Sequence, residues 1–406
     1  PDTGTTTYDY DSAGNRLSRQ DARGVLTEYD YDALNRLTAV RYPNFPEENA
    51  SYHYDNEEPG RNGIGRLTRI EDPSGTTRYF YDYLGNVTRK ETALNGHTLT
   101  VEYQYDSAGQ RIGITYPSGQ QVSITRNPQG RVSGLSTRLE AQSSAQVLAE
   151  AIEYRPFGPL SRLTYGNGLQ EVRTYDLDYR LTGIEMGDSD PLRRRLYEYD
   201  AVNNITRIEN PEVAGEATDY AYDPVNRLVE AANTDYDIQF GYDPVGNRTN
   251  KADDGVVENY QYATDSHHLL FKGPQSYQYN AVGNTIDNGT HQFEYSAANR
   301  IVQASQSGNT VAEYTYNALG QRVIKRLPNG TVTYYFYNEQ GQLLGEYDSA
   351  GNPVREYAYL EGAPLAMVSN SQVHYYHNDH LGTPRLLTDA QKAITWKATY
   401  TPFGKA

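Results

Sequence analysis

A short polar motif recurs along the chain and separates segments with the residue pattern of β-strands. The motif is Tyr, then Asp, Asn or Ser, two variable residues, and then Gly or Asn, as in YDSAGNRL (Tyr10–Leu17) and YDPVNRL (Tyr222–Leu228). We count thirteen copies, mostly 16 to 24 residues apart where copies are adjacent. The segments between them are rich in aromatic and β-branched residues, as in TTRYFY (Thr76–Tyr81). Turn signals roughly every 10 residues between such segments predict consecutive antiparallel strands.

The motif has the chemistry of a β-hairpin turn. A side-chain oxygen at its second position accepts hydrogen bonds from backbone N–H groups two or three residues on. The fifth position is Gly in eight copies, Asn in four and Tyr only at Tyr179. Gly and Asn best tolerate the left-handed φ that a type I turn followed by a bulge requires. If Tyr179 adopts this geometry, we expect it to be strained by about 1–2 kcal/mol.

The residues that we assign to these structural turns are leading tyrosines, capping residues or left-handed residues. They are Tyr10, Asp11, Gly14, Asp32, Asn35, Asp82, Gly85, Asp106, Gly109, Asp200, Asn203, Asp223, Asn226, Asp243, Gly246, Gly283, Asn299, Gly320 and Gly341. A second turn class alternates with the first, as in DARG (Asp21–Gly24) and ADDG (Ala252–Gly255). Because one hairpin alone is marginally stable, we expect the hairpins to stack side by side into one sheet.

The composition also favours a β-rich chain. Of 406 residues, 39 are Tyr and 8 are Phe, which leaves few aliphatic residues for a dry core. Tyr combines β propensity with a hydroxyl that can reach water, so it suits a sheet that is partly wet on both faces. The sequence therefore predicts an all-β fold of antiparallel hairpins in a broad, curved sheet.

Charge and composition exclude several functional classes. The chain has no Cys, which removes disulfide frameworks, thiolate zinc sites and cysteine nucleophiles. No apolar run approaches the ~18–20 residues of a membrane helix. A formal net charge of −16 argues against a general nucleic-acid surface. The motifs of serine hydrolases, P-loop proteins and zinc proteases are missing from the sequence. We therefore predict no catalytic residue, cofactor or metal in this chain.

Two groups of histidines leave alternatives open. His374, His377, Asp379 and His380 either form a metal site or His–Asp pair, or lie at the polar ends of strands and turns. We favour strand ends and turns, because alternating residues of an extended chain point to opposite faces. The pair His267–His268 is interpreted as structural.

Two segments interrupt the regular pattern. The stretch Arg138–Ala151 is either the one helix of the chain or, as we favour, a polar loop that runs into a strand from Val147. The segment Tyr42–Gly63 is rich in Pro, Asn and Glu, and we interpret it as a surface insertion.

The repeated YDxxGNRL-like units resemble the YD repeats of the rearrangement hot spot (Rhs) family. HNDHLGTPRLLTD (His377–Asp389), followed by Trp396 and YTPFG (Tyr400–Gly404), is similar to the start of the C-terminal region of the Rhs core. The resemblance covers essentially the whole chain and divides it into a repeat array at 1–359 and the truncated start of that C-terminal region at 360–406. It implies a long, curved, spiralling sheet that forms part of a hollow β-shell.

The resemblance also implies a function. Relatives include bacterial polymorphic toxins, insecticidal toxin-complex shells and the extracellular teneurins, and in the bacterial members the shell encloses a C-terminal toxin that an aspartate-dependent self-cleavage releases. We expect a non-enzymatic shell segment, secreted or at the bacterial cell surface. Its expected cargo is the C-terminal toxin domain of the parent polypeptide, and a secretion-system component is a further candidate partner.

Three further expectations follow. Because the chain starts at Pro1 and the cleavage segment would lie beyond Ala406, we expect a fragment, and the sequence leaves open whether this fragment closes a shell. We expect neither a nucleic-acid partner nor a membrane span. The alternative function is a surface-exposed module that binds a glycan or a protein through rows of aromatic side chains.

The turn assignment predicts the effect of substitutions at the fifth motif position. Gly14→Val or Gly246→Val should lower the free energy of unfolding by roughly 1–2 kcal/mol, because each forces a β-branched residue into a left-handed φ. Ser12→Val, where φ is ordinary, should cost much less. Thermal denaturation of the three variants measures the difference, and equal shifts would refute the assignment.

Overall fold

A computed structural model describes residues 2–58, 60–140, 143–187, 193–211 and 217–404. The described residues form antiparallel strands almost throughout, together with one short 3-10 helix at Pro46–Glu48. Strands that follow one another in sequence pair with one another, as shown by the registers of the first hairpins. The predicted all-β fold of repeated antiparallel hairpins is therefore confirmed.

The strands form two long sheets. The strands of the first sheet are β1 Thr7–Tyr10, β2 Arg16–Gln20, β3 Leu26–Tyr31, β4 Leu37–Arg41, β5 Ala50–Tyr54, β6 Leu67–Asp72, β7 Gly75–Tyr81, β8 Val87–Leu94, β9 His97–Tyr105, β10 Arg111–Thr115, β11 Gln121–Arg126, β12 Val132–Arg138, β13 Gln146–Tyr154, β14 Leu160–Tyr165, β15 Gln170–Tyr175, β16 Leu181–Met186, β17 Arg193–Tyr199, β18 Ile205–Glu209, β19 Thr218–Tyr222, β20 Leu228–Ala232, β21 Asp237–Tyr242, β22 Arg248–Asp253, β23 Val256–Tyr262, β24 Leu269–Lys272 and β25 Gln275–Ser276. Those of the second sheet are β26 Gln278–Tyr279, β27 Thr285–Asp287, β28 Gln292–Tyr295, β29 Ile301–Gln306, β30 Asn309–Tyr316, β31 Arg322–Arg326, β32 Val332–Tyr337, β33 Leu343–Tyr347, β34 Pro353–Leu360, β35 Ala363–Ser369, β36 Gln372–Asn378, β37 Pro384–Thr388 and β38 Ile394–Lys397.

The chain divides into two compact units, Pro1–Gly119 with Gln261–Glu356 and Gln120–Tyr260 with Tyr357–Ala406. Each unit has its own buried side chains. In the first unit they include Ile70, Leu94, Tyr116, Ile324, Phe336, Leu344 and Tyr347, and in the second Leu148, Leu163, Ile184, Met186 and Ile238. Aliphatic and aromatic side chains therefore form the buried core of each unit.

Burial alternates along several strands. In β9, Leu99, Val101 and Tyr103 are buried at alternate positions, whereas Glu102 and Gln104 between and beyond them are exposed. Successive side chains of a strand point to opposite faces, so one face of this strand is dry and the other is wet. The expectation of a sheet that is partly wet on both faces is wrong for this strand.

Within the first unit, residues far apart in sequence bind each other at turns. The Glu48 carboxylate accepts a hydrogen bond from the amide of Ala297 at 2.9 Å, across 249 residues. Asp72 Oδ2 accepts one from the amide of Ala318 at 2.7 Å, across 246 residues. Early repeats of this unit therefore pack against late ones.

The second unit contains bonds of the same kind. Asn167 Nδ2 donates to Thr388 Oγ1 at 3.0 Å and to the carbonyl of Asp389 at 2.9 Å. The hydroxyl of Tyr375 donates to the carbonyl of Val147 at 3.2 Å. The segment before position 359 and the segment after it are therefore joined within one unit.

Both irregular segments contain strands. Arg138 ends β12 and Gln146 begins β13, and between these strands the Ser143 amide donates to the Glu140 carbonyl at 3.0 Å; Ala141 and Gln142 lie outside the described residues. The described residues of this stretch form no helix, and they lead into a strand. The interpretation of 42–63 as a surface insertion is wrong in part, because it contains β5, which pairs with both β4 and β6.

Candidate functional site

Each motif turn is closed by two backbone hydrogen bonds and capped by one side chain. In the turn between β1 and β2, the Asp11 amide donates to the Asn15 carbonyl at 2.9 Å, and the Gly14 amide donates to the Asp11 carbonyl at 3.1 Å. Asp11 Oδ1 accepts from the amides of Ala13 and Asn15, both at 2.8 Å. Asp11 Oδ2 accepts from Asn15 Nδ2 at 2.8 Å. One carboxylate therefore satisfies three donors of its own turn.

The fifth motif position has a left-handed backbone in all thirteen copies. The φ angles are 86° at Gly14, 59° at Asn35, 94° at Gly85, 74° at Gly109, 63° at Tyr179, 72° at Asn203, 63° at Asn226, 94° at Gly246, 79° at Gly283, 67° at Asn299, 74° at Gly320, 80° at Gly341 and 80° at Gly351. Tyr179 thus adopts the strained geometry. Its hydroxyl donates to the carbonyl of Pro156 at 2.7 Å, a contact that Gly or Asn cannot make and that offsets part of the strain.

Eleven turn tyrosines, nine of them in the thirteen motif copies, each tie their own turn to the preceding one. The hydroxyl of Tyr54 donates to the Leu37 carbonyl at 3.0 Å, and that of Tyr242 donates to the Leu228 carbonyl at 2.8 Å. In each case the acceptor is the first residue of the strand that leaves the preceding turn. The equivalent bond is made by Tyr81, Tyr105, Tyr154, Tyr175, Tyr199, Tyr222, Tyr279, Tyr295 and Tyr337.

An arginine in several motifs strengthens the same link. The guanidinium of Arg36 lies 4.4 Å from the ring centroid of Tyr54, and its Nε donates to Asp32 Oδ2 at 2.7 Å. Arg227 lies 4.8 Å from the ring centroid of Tyr242. A cation above the face of an aromatic ring is attracted by the ring quadrupole. The residue after the left-handed position therefore contacts both its own cap and the tyrosine of the next repeat.

The hydrogen bonds of the turns keep the capping carboxylates ionised. The side chain of Asn15 lowers the pKa of Asp11, and the amide of Arg227 lowers the pKa of Asp223. Hydrogen bonds to a carboxylate stabilise its charged form. At neutral pH these carboxylates therefore accept the hydrogen bonds of their turns in the charged form.

Several turns of the same type lack the leading tyrosine and lie outside the thirteen counted copies. Asn127–Gly130, Asp379–Gly382 and Asp389–Lys392 have the same pair of backbone hydrogen bonds and the same capping pattern. A search for Asp or Asn three residues before Gly would have found the first two. Lys392, with φ of 67°, offered no such signal.

The second turn class is not uniform. Asp21–Gly24 has the hydrogen bonds of the motif turn. By contrast, Asp253 pairs directly with Val256, and Asp254 and Gly255 between them have φ of 48° and 82°. Two consecutive left-handed residues define a type I′ hairpin, which matches the twist of the flanking strands.

The histidine-rich segment does not converge on one point. His374 Nδ1 lies 3.3 Å from Thr395 Oγ1, whereas Asp379 caps the turn that follows β36. His377 is 1% exposed, and its Nε2 lies 2.8 Å from Thr388 Oγ1. In the part of the chain that the structure describes, no group of three His, Asp or Glu side chains could hold a metal ion.

The pair His267–His268 contacts the amino-terminal segment. His267 Nδ1 lies 3.1 Å from Asp2 Oδ2, and His268 Nε2 lies 2.9 Å from the Asp2 carbonyl. Both rings thus serve packing within the first unit.

A buried polar cluster surrounds His377 in the second unit. Glu171, 2% exposed, accepts hydrogen bonds from the Tyr165 hydroxyl and from Arg173 Nε, each at 2.8 Å. Burial opposes ionisation of Glu171, but Arg173 and Tyr165 outweigh it and lower its pKa. Burial lowers the pKa of His377 to about 4, so its ring is neutral at pH 7. The ring packs edge-on against Tyr165, with centroids 4.5 Å apart. These groups bond to or pack against one another, and they are too deeply buried for a substrate to reach.

Comparison with known proteins finds two family models that match this chain. A model of the teneurin YD-shell matches residues 211–406, and a model of the RHS repeat matches residues 10–44, 61–98 and 81–122. Over these residues the chain is similar to the repeats of Rhs proteins and to the YD-shell of teneurins. The resemblance drawn from the motifs is therefore confirmed.

Curated relatives of this YD-repeat chain include toxins. It is 23% identical to double-stranded DNA deaminase toxin A of Burkholderia cenocepacia, over 98% of the chain and 32% of the toxin. It is 24% identical to toxin protein Tse5 of Pseudomonas aeruginosa, over 82% of the chain and 31% of Tse5. Teneurin-3 of Danio rerio is 22% identical, over 99% of the chain and 18% of the teneurin. The chain thus spans about a third of the length of these toxins.

A solved structure shows the same fold. The crystal structure of TcdB2-TccC3 matches with a TM-score of 0.85 at 18% identity, over 99% of this chain and 24% of that one. The YD-repeat chain therefore has the fold of a segment of this toxin-complex protein. Among the residues that the structure describes, no helix could cross a membrane.

Removal of a turn tyrosine's hydroxyl should destabilise the fold, because its hydrogen bond to the preceding turn is lost. Tyr242→Phe should lower the free energy of unfolding by about 1 kcal/mol, because the Leu228 carbonyl loses its donor. Tyr83→Phe is the control, since Tyr83 is 81% exposed, and its effect should be within about 0.5 kcal/mol of zero. Urea denaturation followed by far-UV circular dichroism measures both. Equal losses would contradict the link.

Because the capping carboxylates act in their ionised form, we expect the stability of the folded chain to fall in acid. The pKa of Asp223 is lower in the folded chain than in the unfolded chain, so the unfolded chain binds protons first as the pH falls. Its stabilising contribution should be complete above about pH 4 and be lost as the pH falls further. In Asp223→Asn, stability should decline less steeply in that range, and the fold should persist because Asn280 caps its own turn with an amide oxygen. Thermal denaturation from pH 5 to pH 2 compares the two proteins, and parallel curves would rule out this role.

Proposed function

We propose that this chain is a segment of the wall of a YD-repeat shell that encloses a C-terminal toxin domain of the same polypeptide. The observation that carries the proposal is the match to TcdB2-TccC3 over 99% of the chain. The names of the relatives add support, since two of them are toxins and the chain aligns with about a third of each.

The repeat chemistry suits a wall. Each turn satisfies its own donors, and tyrosine hydroxyls and arginines tie it to the next turn along the same edge of the sheet. Bonds such as Glu48 to Ala297 then lock early repeats to late ones. A surface of this kind can separate two compartments without needing a reactive group of its own.

In this proposal, catalysis belongs to the enclosed domain and not to this chain. Glu171 and His377 are its most enzyme-like pair, and their exposures of 2% and 1% close them to a substrate. Residues 1–359 are the repeat array in this proposal, and residues 360–406 begin the C-terminal region of the shell. The shell acts outside the cell that makes it, with a secretion component as a further partner.

The charge of the chain bears on the cargo. A formal net charge of −16 would attract a basic domain held close to it. Many domains that attack nucleic acids are basic, because they must bind phosphates. The comparisons lend no support to the alternative of a glycan- or protein-binding adhesion module.

Protection of the cargo tests the proposal. In the full parent polypeptide, trypsin should digest the C-terminal domain at least ~tenfold more slowly than it digests the same domain expressed alone, because cleavage requires opening of the wall. The matched control is the parent polypeptide in urea sufficient to unfold the repeats, where protection should disappear. Equal digestion rates for the free and the attached domain would contradict enclosure.

A further inference from the structure

One edge of the sheet in the second unit exposes apolar side chains at five consecutive turns. These turns join β13 to β14, β15 to β16, β17 to β18, β19 to β20 and β21 to β22, and the strands between them pair without a break. The two residues at the tip of each turn are all exposed, and only Asp178 among them is polar. We call them the tip row: Pro156–Phe157, Leu177–Asp178, Ala201–Val202, Pro224–Val225 and Pro244–Val245.

The tips follow one another at a regular interval. Neighbouring strands lie about 4.7–4.9 Å apart, so turns that are two strands apart are separated by roughly 9.4–9.8 Å. Hydrogen bonds hold this interval, because Tyr175, Tyr199, Tyr222 and Tyr242 each donate to a carbonyl of the strand that leaves the turn before. The five tips therefore form a ladder about 38 Å long.

The apolar side chains of the tip row add little to their own turns. Gly, Pro, Asn, Asp and Ser dominate turn positions for local reasons, and Val has no such advantage. Val225 and Val245 are nevertheless 67% and 70% exposed at their tips. Phe157 is fully exposed and has a φ of 55°, which is strained for an aromatic residue. Strained residues cluster at functional sites, and a series of exposed apolar groups marks an interaction surface.

The tip row is acidic as well as apolar. Turn residues 155–159, 176–180, 200–204, 223–227 and 243–247 include five aspartates but only three arginines. The aspartates are Asp176, Asp178, Asp200, Asp223 and Asp243, and the arginines are Arg155, Arg180 and Arg227. The whole chain has a formal net charge of −16. A cationic partner is therefore attracted to this edge, whereas an anionic membrane or a second copy of the same edge is repelled.

We propose that the tip row binds a basic peptide segment in the polyproline II conformation. This conformation has three residues per turn and a rise of about 3.1 Å per residue, so each side of it repeats every ~9.3 Å. An apolar residue at every third position then meets one tip after another, and a Lys or Arg beside it follows the aspartates. An α-helix repeats its apolar stripe about every 10.5 Å, which departs further from the interval of the tips. The proposal concerns the second unit alone and does not depend on enclosure of a cargo.

Fluorescence anisotropy with labelled peptides tests the proposal on the whole chain. Leu-Pro-Lys repeated four times should bind at least ~tenfold more tightly than Leu-Leu-Pro-Pro-Lys-Lys repeated twice, which has the same composition without the period of three. Leu-Pro-Glu repeated four times should not bind, because its charge is reversed. Equal binding of the two lysine peptides, or no binding of the first, would overturn the proposal. Binding of the glutamate peptide as tight as that of the first lysine peptide would overturn it as well.

Variants place the binding on the tip row. Val225→Ser combined with Val245→Ser should weaken the Leu-Pro-Lys peptide at least ~tenfold, because two apolar contacts are lost. The matched control combines Val256→Ser with Val257→Ser. These valines are 74% and 57% exposed and lie beside the turn between β22 and β23, at the opposite edge of the sheet. The control should bind as the unaltered chain does, and circular dichroism confirms that both variants are folded. Equal weakening in both, or none in the tip variant, would refute the site.

Other occupants of the tip row give different results. Membrane binding would show as flotation of the chain with phosphatidylcholine vesicles. Self-association would show as a dimer in analytical ultracentrifugation that the combined Val225→Ser and Val245→Ser variant abolishes. Either result, without binding of the Leu-Pro-Lys peptide, would overturn the proposal in favour of that occupant.

Discussion

The hydrogen bond from a turn tyrosine to the strand that leaves the preceding turn, made by eleven tyrosines, is the interaction on which the repeat array depends. The strand ladder ends before that carbonyl: β4 and β5 are last paired at Ala39 and Ser51, and Leu37 lies beyond them. Without the Tyr54 hydroxyl, the carbonyl of Leu37 would need another donor. An unmade hydrogen bond of a buried group costs about 1–3 kcal/mol, so eleven such bonds matter to a chain of marginal hairpins.

This constraint accounts for the residue preferences of the motif. The leading residue must combine a ring that covers the turn with a hydroxyl at its tip, and among the aromatic residues only Tyr does so. The second residue must present oxygens to its own turn, as Asp11 and Asn280 do. The residue after the left-handed position reaches back to the cap, as Asn15 and Arg36 do. The high tyrosine content thus reflects the leading position of the turn motif, and not a general preference for exposed rings.

The polar groups of the interior fall into two kinds. Glu171, Tyr165 and Arg173 satisfy one another and stiffen the second unit. Arg193 is held differently, because its Nη1 donates to the carbonyls of His377 and Asn378 and so joins β17 to β36.

The turns could be predicted from the sequence because the groups that hydrogen-bond within a turn all lie within five residues of one another. The cap and the left-handed φ of the first turn involve only Asp11, Gly14 and Asn15. Tyr179 could be recognised as an exception from the sequence because it occupies the left-handed position of an otherwise complete motif. The strands follow from the turns, since antiparallel pairing of neighbours needs no further information. Turns without a leading tyrosine, such as the one that ends at Lys392, were not counted among the motif copies because the motif was defined by its tyrosine.

What only the tertiary structure decided is which repeats meet. The bond from Glu48 to Ala297 spans 249 residues, and the separation is the sum of many strand and loop lengths, so no local pattern encodes it. The same holds for the burial of His377. By itself the sequence determined the hairpin, its cap and its all-β array, because these rest on short-range hydrogen bonds. The tertiary structure alone brought together Arg193 and the carbonyls of His377 and Asn378, because their positions depend on the summed register of the whole array.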